Sequence, residues 1–379
     1  MHEAQEALYK LHNFSLSKQE KASLLRSPDF DWDGVLASAK KAGLTNTLYR
    51  EIKTLGAQIP EDKLNALRGS CLATLSQNLI KSREILGVCG GMNKCGIDYV
   101  IIQGWALIYS LPDNMGIRVP ADVDIYVPSE DLRGCVRFLL DSGCVSPDID
   151  RPPGRKNLRH EHMHFSKNNI CLEITDDPFK LIAPIKNGKR FLKESRICGI
   201  ENTKVRVPSY EYSLLVLMVH YQREKPHKIT KIYDIAHLIH KTKGVLDWKK
   251  FLKITVEERL ETPAYFTLKT TMGLFSPPVP DFAVAGLDSG KGKERFLKIT
   301  ESPNEKIFYL YTWLTRESLK EKLKSLYSKI FNPFGVMWDF TPEKKRAKAY
   351  IFLSHLKEML TDRFIKYISA WISLFSGKL

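Results

Sequence analysis

The sequence predicts a mixed α+β fold, a small sheet-bearing core set between helical regions. Three observations predict it. Apolar residues recur at helical spacing through residues 1–95 and again from about Tyr210 onward. Between these regions stand short apolar, β-branched runs bounded by Gly, Pro, Asn and Asp. At 379 residues the chain is longer than a single core usually sustains, about 250–300 residues, so more than one module is expected.

The expected units are a helical region over 1–95, the core over 96–205, a second helical region over 206–275, and a linker with a basic helical tail over 276–379. Trp32, Val35, Leu36, Ala39 and Leu44 keep helical spacing in the first unit, as do Leu64, Leu67, Leu72, Leu75, Leu79, Ile85 and Leu86. Gly87, Gly90, Gly91 and Gly96 lack the GK[ST] ending of a phosphate loop and are read as a helix end. Tyr99-Val100-Ile101-Ile102 reads as a buried strand closed by Gly104, with a short helix over Trp105–Leu111. Val123 to Val127 reads as a second strand. A helix follows, with Ser129 as its N-cap, and ends near Gly143. A polar loop covers about 146–159, and two strands near 161–166 and 170–175 follow, joined by Lys167-Asn168-Asn169. Asp176 and Asp177 read as turn residues. Gly, Pro and Ser between 275 and 292 mark the linker.

Composition excludes several classes. The formal net charge is +15, with 43% hydrophobic and 27% charged residues, which is neither collagen-like, mucin-like nor disordered throughout. No apolar run reaches the ~18 residues of a membrane-spanning helix. The opening MHEAQEALYKLHNF has no apolar signal core, so the expected compartment is the cytoplasm. Seven cysteines, without CxxC spacing, are expected to be reduced. From Lys291 onward there are 18 Lys+Arg against 9 Asp+Glu. Such a tail is either a solvated face or a surface for phosphates, nucleic acid or anionic lipid. Its last segment, Phe364 to Phe375, reads either as an interfacial helix in peripheral membrane contact or as a helix docked on the body. Nucleic acid is the weaker partner class, because the basic residues form no recognisable binding motif.

The chemistry concentrates in Asp122-Val123-Asp124-Ile125-Tyr126-Val127. Alternation on a strand puts Asp122 and Asp124 on one face. Two carboxylates so placed repel unless a cation sits between them, and Mg²⁺ suits oxygen ligands and substrate phosphates. Gly104 before a short helix allows close approach of a triphosphate to free backbone N–H groups. Glu173, inside the apolar strand Ile170 to Thr175, is a third acid that needs a partner, either the same metal or a salt bridge. His160, His162 and His164 alternate on one strand. The readings are a transition-metal site, packing, or a role for His164 beside the Glu173 strand.

With these residues in place, the chain resembles the uncharacterised nucleotidyltransferase family of the DNA polymerase β-like nucleotidyltransferase superfamily. The likeness is carried by Trp32 with LTNTLYREI from Leu44, by YVIIQGWALIYS from Tyr99, and by GIRVPADVDIYVPSEDL from Gly116. It continues in VPSYEYSLLVLMVHYQ from Val207, KIYDIAHLI from Lys231 and LDWKKFL from Leu246, and covers roughly residues 30–275. The resemblance implies a polymerase β-like core of mixed sheet and helices. It implies metal-binding, catalytic carboxylates at Asp122, Asp124 and Glu173, the phosphate-loop glycine at Gly104 and the family arginine at Arg118; Gln103 and Trp105 by their positions beside Gly104, and His164 by its strand beside Glu173, complete the expected nucleotide site. It implies transfer of a nucleoside monophosphate from an NTP, ATP among them, to an acceptor, with two Mg²⁺ ions or Mn²⁺ in their place. The acceptor class stays open among small molecules, sugar phosphates, peptides and protein side chains. The alternative is a non-catalytic nucleotide-binding or toxin-neutralising module that kept the fold. Gln103 stands where the family often has Lys, Trp105 where the superfamily has Gly or Ser, and Thr175 where the family commonly has His. His220 and Asp234 lie on the helices that, by the resemblance, cap the nucleotide site.

Overall fold

The computed structural model describes residues 3–150, 162–179, 187–223 and 228–288. Most of the expected polar loop, His160, and the basic tail with its aromatic terminal segment lie outside the described residues.

The chain opens with α1 (Glu3–Leu11), α2 (Lys18–Leu25), α3 (Trp32–Ala42), α4 (Thr45–Leu55) and the long α5 (Glu61–Lys94). Local chemistry sets several of these boundaries. Ser17 and Glu20 cap α2 reciprocally, satisfying two backbone donors that the first turn leaves open. The Asp31 carboxylate accepts from Gly34 N at 2.8 Å to start α3, and Gly43, at φ +69°, ends it in a conformation that costs other residues. The helix α5 runs straight through Gly87, Gly90 and Gly91. Only Gly96, at φ +66°, belongs to its end, so the glycine-rich patch is a helix interior. Gly91 is there for space, because a Cβ would lie 2.3 Å from the ring of Phe138.

The core follows: β1 (Val100–Ile101), α6 (Gln103–Ser110), a short 3-10 turn (Pro112–Asn114), β2 (Val123–Tyr126), α7 (Leu132–Asp141), α8 (Pro147–Asp150), β3 (His162–Lys167) and β4 (Ile170–Thr175). The four strands form one mixed sheet in the order β1-β2-β4-β3, with β2 and β4 parallel and the other pairs antiparallel. This is the expected α+β class. Two details differ from expectation. Ser129 does not cap α7; its hydroxyl donates to Asp176 Oδ2 at 3.0 Å. Pro147–Asp150, expected as loop, forms a single helical turn.

After α9 (Gly188–Lys193) comes an antiparallel hairpin, β5 (Arg196–Ile200) with β6 (Thr203–Val207), turning at Glu201-Asn202. The rest is helical: α10 (Tyr210–Arg223), α11 (Ile229–Lys241), α12 (Trp248–Glu257), α13 (Glu261–Phe275) and α14 (Asp281–Leu287). The expected linker thus begins with a docked helix, since Ala283 and Leu287 of α14 are buried.

Two apolar clusters hold the molecule. One lies behind the sheet, where Val123, Ile125, Leu172, Ile174 and Phe165 meet Ile85, Cys89 and Met92 of α5. The other joins Leu8, Leu48 and Leu67 of the N-terminal helices to Leu215, Met218, Ile232, Ile235 and Phe251 of the later ones. Helices far apart in sequence therefore share one core, and α5 reaches both clusters.

His12 belongs to this second core. Its Nδ1 lies 2.8 Å from Leu8 O and its Nε2 2.9 Å from Thr47 Oγ1. Burial lowers its pKa from 6.5 to about 4 despite the nearby Glu51. A group whose pKa falls on folding stabilises the fold above its unfolded value and withdraws that stability as pH drops towards its folded value. The urea midpoint is therefore expected to fall between pH 6.5 and about 4, and His12→Gln should flatten that dependence. Parallel slopes in both proteins would refute it.

Candidate functional site

The sheet brings the three acids together. Parallel pairing aligns Asp124 with Glu173, and antiparallel pairing aligns Glu173 with His164. Asp122 precedes β2 by one residue and shares the face of Asp124 by alternation. One ligand oxygen from each of Asp122, Asp124 and Glu173 lies within 4.8 Å of the others. Asp124 and Glu173 are buried and Asp122 is half-buried. His164 Nε2 stands 3.8 Å from Glu173 Oε2. Cys171, an exposed residue, lies on the same face by alternation, and desolvation followed by the charges of Asp122 and Asp124 pushes its thiol pKa up.

Beside the acids, β1 ends and α6 begins at once. Ile102 N donates to Asp124 O at 2.9 Å, which fixes the start of α6 against the carboxylate strand. Gln103 takes φ +56°, a left-handed conformation that costs a non-glycine residue about 1 kcal/mol. Gln103→Gly is expected to raise the denaturation midpoint by an equivalent amount; an unchanged or lower midpoint would contradict this. Gly104 sits under Arg118 and Pro120, where a Cβ would stand 3.0 Å from Pro120 Cβ and 3.3 Å from Arg118 Nε. The glycine expected to admit phosphate is thus also required by these two side chains.

Arg118 forms an ion pair with Asp234 of α11, which joins the 112–121 loop to the helical region. Asn78 Nδ2 holds that loop through Met115 O (2.6 Å) and Arg118 O (2.8 Å). Trp105, expected to narrow the pocket or offer a stacking face, does neither with its side chain. The indole is 1% exposed and packs against Tyr109 in the cluster behind the sheet. Thr175 is buried and builds the turn after β4, its hydroxyl donating to Asp177 O and accepting from Asp177 N. His220 is buried against Pro178 O at 3.2 Å, with Arg223 beside its other ring nitrogen, so it props the same turn.

Of these residues, Gln103, Gly104, Arg118, Asp122, Asp124, Glu173 and Asp234 border a cleft of about 530 Å³. It is also lined by residues the sequence did not single out: Asn46, Arg50, Thr74, Asn114, Tyr233 and His237. Arg50 lies within the LTNTLYREI stretch, the one local signal that could have pointed to it; its meeting with α11 is a matter of tertiary packing. His162 is in β3 by its backbone, and the described residues hold no cluster of His or Cys suited to a metal. All seven cysteines are free. No described helix is long and apolar enough to cross a membrane.

No curated protein matches the chain. Among solved structures, it is similar to an antigenic nucleotidyltransferase-like protein from Paracoccidioides brasiliensis, at 16% identity and a TM-score of 0.32, over 52% of this chain and 93% of that one. The sequence profile described as "uncharacterised nucleotidyltransferase" matches residues 28–276. That span is well over half of the chain and contains every residue bordering the cleft, so the chain belongs to the uncharacterised nucleotidyltransferase family.

Proposed function

We propose that the protein transfers a nucleoside monophosphate from an NTP to an acceptor and releases pyrophosphate, using Mg²⁺ or Mn²⁺. The reading is supported above all by the convergence of Asp122, Asp124 and Glu173 next to the first turn of α6. Three carboxylates form an all-oxygen donor set, which fits a hard divalent cation and suits a soft one poorly. Two of them are buried, and buried charges of one sign this close call for a cation. Ions held there would neutralise the triphosphate and make the acceptor oxygen a better nucleophile.

The chain's own residues divide the remaining work. Backbone N–H groups at Gln103, Gly104 and Trp105 receive phosphate oxygens at the N-terminus of α6. Arg118 places a cation where negative charge grows as the α–β phosphoanhydride bond breaks. Asp124 and Glu173, neighbours in register, stand on the acceptor side, with His164 beside them. Residues 96–205 form the catalytic core and 206–275 cap the nucleotide. Gln103 in place of a lysine leaves one positive charge fewer at the phosphates.

The test is pyrophosphate release from each NTP with Mg²⁺, in the presence of a small-molecule cell extract, by wild type and Asp124→Asn. Release by wild type alone is expected. Release undiminished in the variant, or none from any NTP, would count against the reading.

A further inference from the structure

Besides the carboxylates and α6, the cleft is lined by polar side chains, and burying such groups is costly where they lack a hydrogen-bond partner. Asn46, Thr74, Asn114 and His237 are all buried there. Asn46 and Thr74 satisfy one another at 2.8 Å, and Ser70 donates to Asn46 Oδ1 at 2.6 Å. Two side chains are not so settled.

The first is Arg50 on α4. Its guanidinium donates to Tyr233 OH at 2.7 Å and to Asn114 Oδ1 at 3.2 Å, both neutral acceptors. Among the described residues no carboxylate comes within 4.0 Å of it. The nearby Glu51 is engaged by Lys21 at 3.3 Å and accepts from Tyr233 OH at 3.3 Å. Two of the five N–H donors of an arginine are thus used, and the fixed fork remains to receive an anion. The second is His237 on α11, 4% exposed, stacked on Tyr233 at 5.9 Å and 11°. Its Nε2 is buried without a hydrogen-bond partner. Burial first, then Arg50, Lys241 and His240, lower its pKa to about 2, so the imidazole is neutral. A buried ring nitrogen without a protein partner, on the wall of a cleft, is available to a ligand.

Resting on the nucleotidyltransferase reading above, we propose that this chamber is the acceptor seat, and that it takes a small molecule carrying a hydroxyl and an anionic group, phosphate or carboxylate, held by Arg50 and His237. The triphosphate is assigned to the first turn of α6 and Arg118, so a second anion-binding group on this cleft serves a second substrate, whose hydroxyl is directed to the acceptor side at Asp124 and Glu173. The acceptor hydroxyl oxygen forms the new bond to the α-phosphorus of the NTP. The α–β phosphoanhydride bond breaks, pyrophosphate leaves, and the hydroxyl proton passes to solvent.

The experiment uses the full chain loaded with Mg²⁺ and a non-hydrolysable NTP analogue. Glycerol 3-phosphate, glycerate, inorganic phosphate and glycerol are titrated by calorimetry to about 10 mM, a range that covers affinities near 4 kcal/mol. The anionic probes are expected to bind, and glycerol is not. Arg50→Gln and His237→Phe should each weaken the anions about tenfold or more while leaving affinity for the NTP analogue unchanged, which also shows that the variants fold. On the wild type, the ¹⁵N shifts of the His237 imidazole should move when an anionic probe is added. Absence of anion binding by the loaded wild type would overturn the proposal. So would a loss of NTP-analogue affinity in Arg50→Gln with anion binding intact, which would assign Arg50 to the nucleotide. Failure of the nucleotide itself to bind would instead refute the nucleotidyltransferase reading.

Discussion

Asp124→Asn is expected to lower pyrophosphate release by about three orders of magnitude, equivalent to about 4 kcal/mol of transition-state stabilisation, and to leave the metal-free protein at least as stable as wild type. The two halves share one cause. Carboxylate oxygens within 4.8 Å of one another repel by about 3 kcal/mol per pair at an effective dielectric near 20. The amide has nearly the shape of the carboxylate and none of its charge. Thermal unfolding with and without Mg²⁺ checks this. Wild type should gain stability with the ion, about 1.4 kcal/mol at tenfold its dissociation constant, and the variant should not. A variant that is less stable without metal, or that responds to Mg²⁺ as wild type does, would show that the acids are there for the fold.

The second large effect is expected at Arg118. Its guanidinium lies over Gly104 and pairs with Asp234, both side chains mostly shielded at 19% and 13% exposure. Arg118→Ala removes the cation from two settings. Asp234 loses this charge partner, for a stability cost of about 2–3 kcal/mol, below the range for fully buried pairs because some solvent reaches them. The phosphate end of the cleft also loses a positive charge, so Mg²⁺-NTP affinity should fall about tenfold or more. Asp234→Asn separates the two roles. It should cost stability and spare nucleotide affinity, because Arg118 remains. If both variants lose stability and neither loses affinity, Arg118 is a strut between the 112–121 loop and α11 and nothing more.

The parts of this site legible in the sequence are those governed by local periodicity. Alternation along β2 places Asp122 and Asp124 on one face, and alternation along β4 turns Glu173 away from its apolar neighbours Leu172 and Ile174. Register then brings Asp124 opposite Glu173, which no single strand reveals. The hairpin β5–β6 is hard to read in the sequence although Ile197, Ile200, Thr203, Val205 and Val207 carry a strand signal. Its burial alternates and much of it is half-exposed, so the apolar pattern is weak. The docked α14 was hidden by its surroundings, since a seven-residue helix among prolines and serines reads as linker. Trp105 shows the limit of reading a substitution by position, because helical geometry turns its indole into the core while its backbone stays at the cleft. The chamber around Arg50 and His237 could not be read locally. It exists because α4 and α11, some 180 residues apart, pack in one core, joined by the Arg50–Tyr233 hydrogen bond.

The most direct test of the site is nucleotide binding by calorimetry, with each NTP and Mg²⁺, on wild type and on the Asp122→Asn/Asp124→Asn double variant. Mg²⁺-dependent binding of at least one NTP by wild type, lost in the double variant, is the predicted result. Equal binding by both proteins, or binding by wild type that is indifferent to Mg²⁺, would contradict a nucleotide site built on these carboxylates.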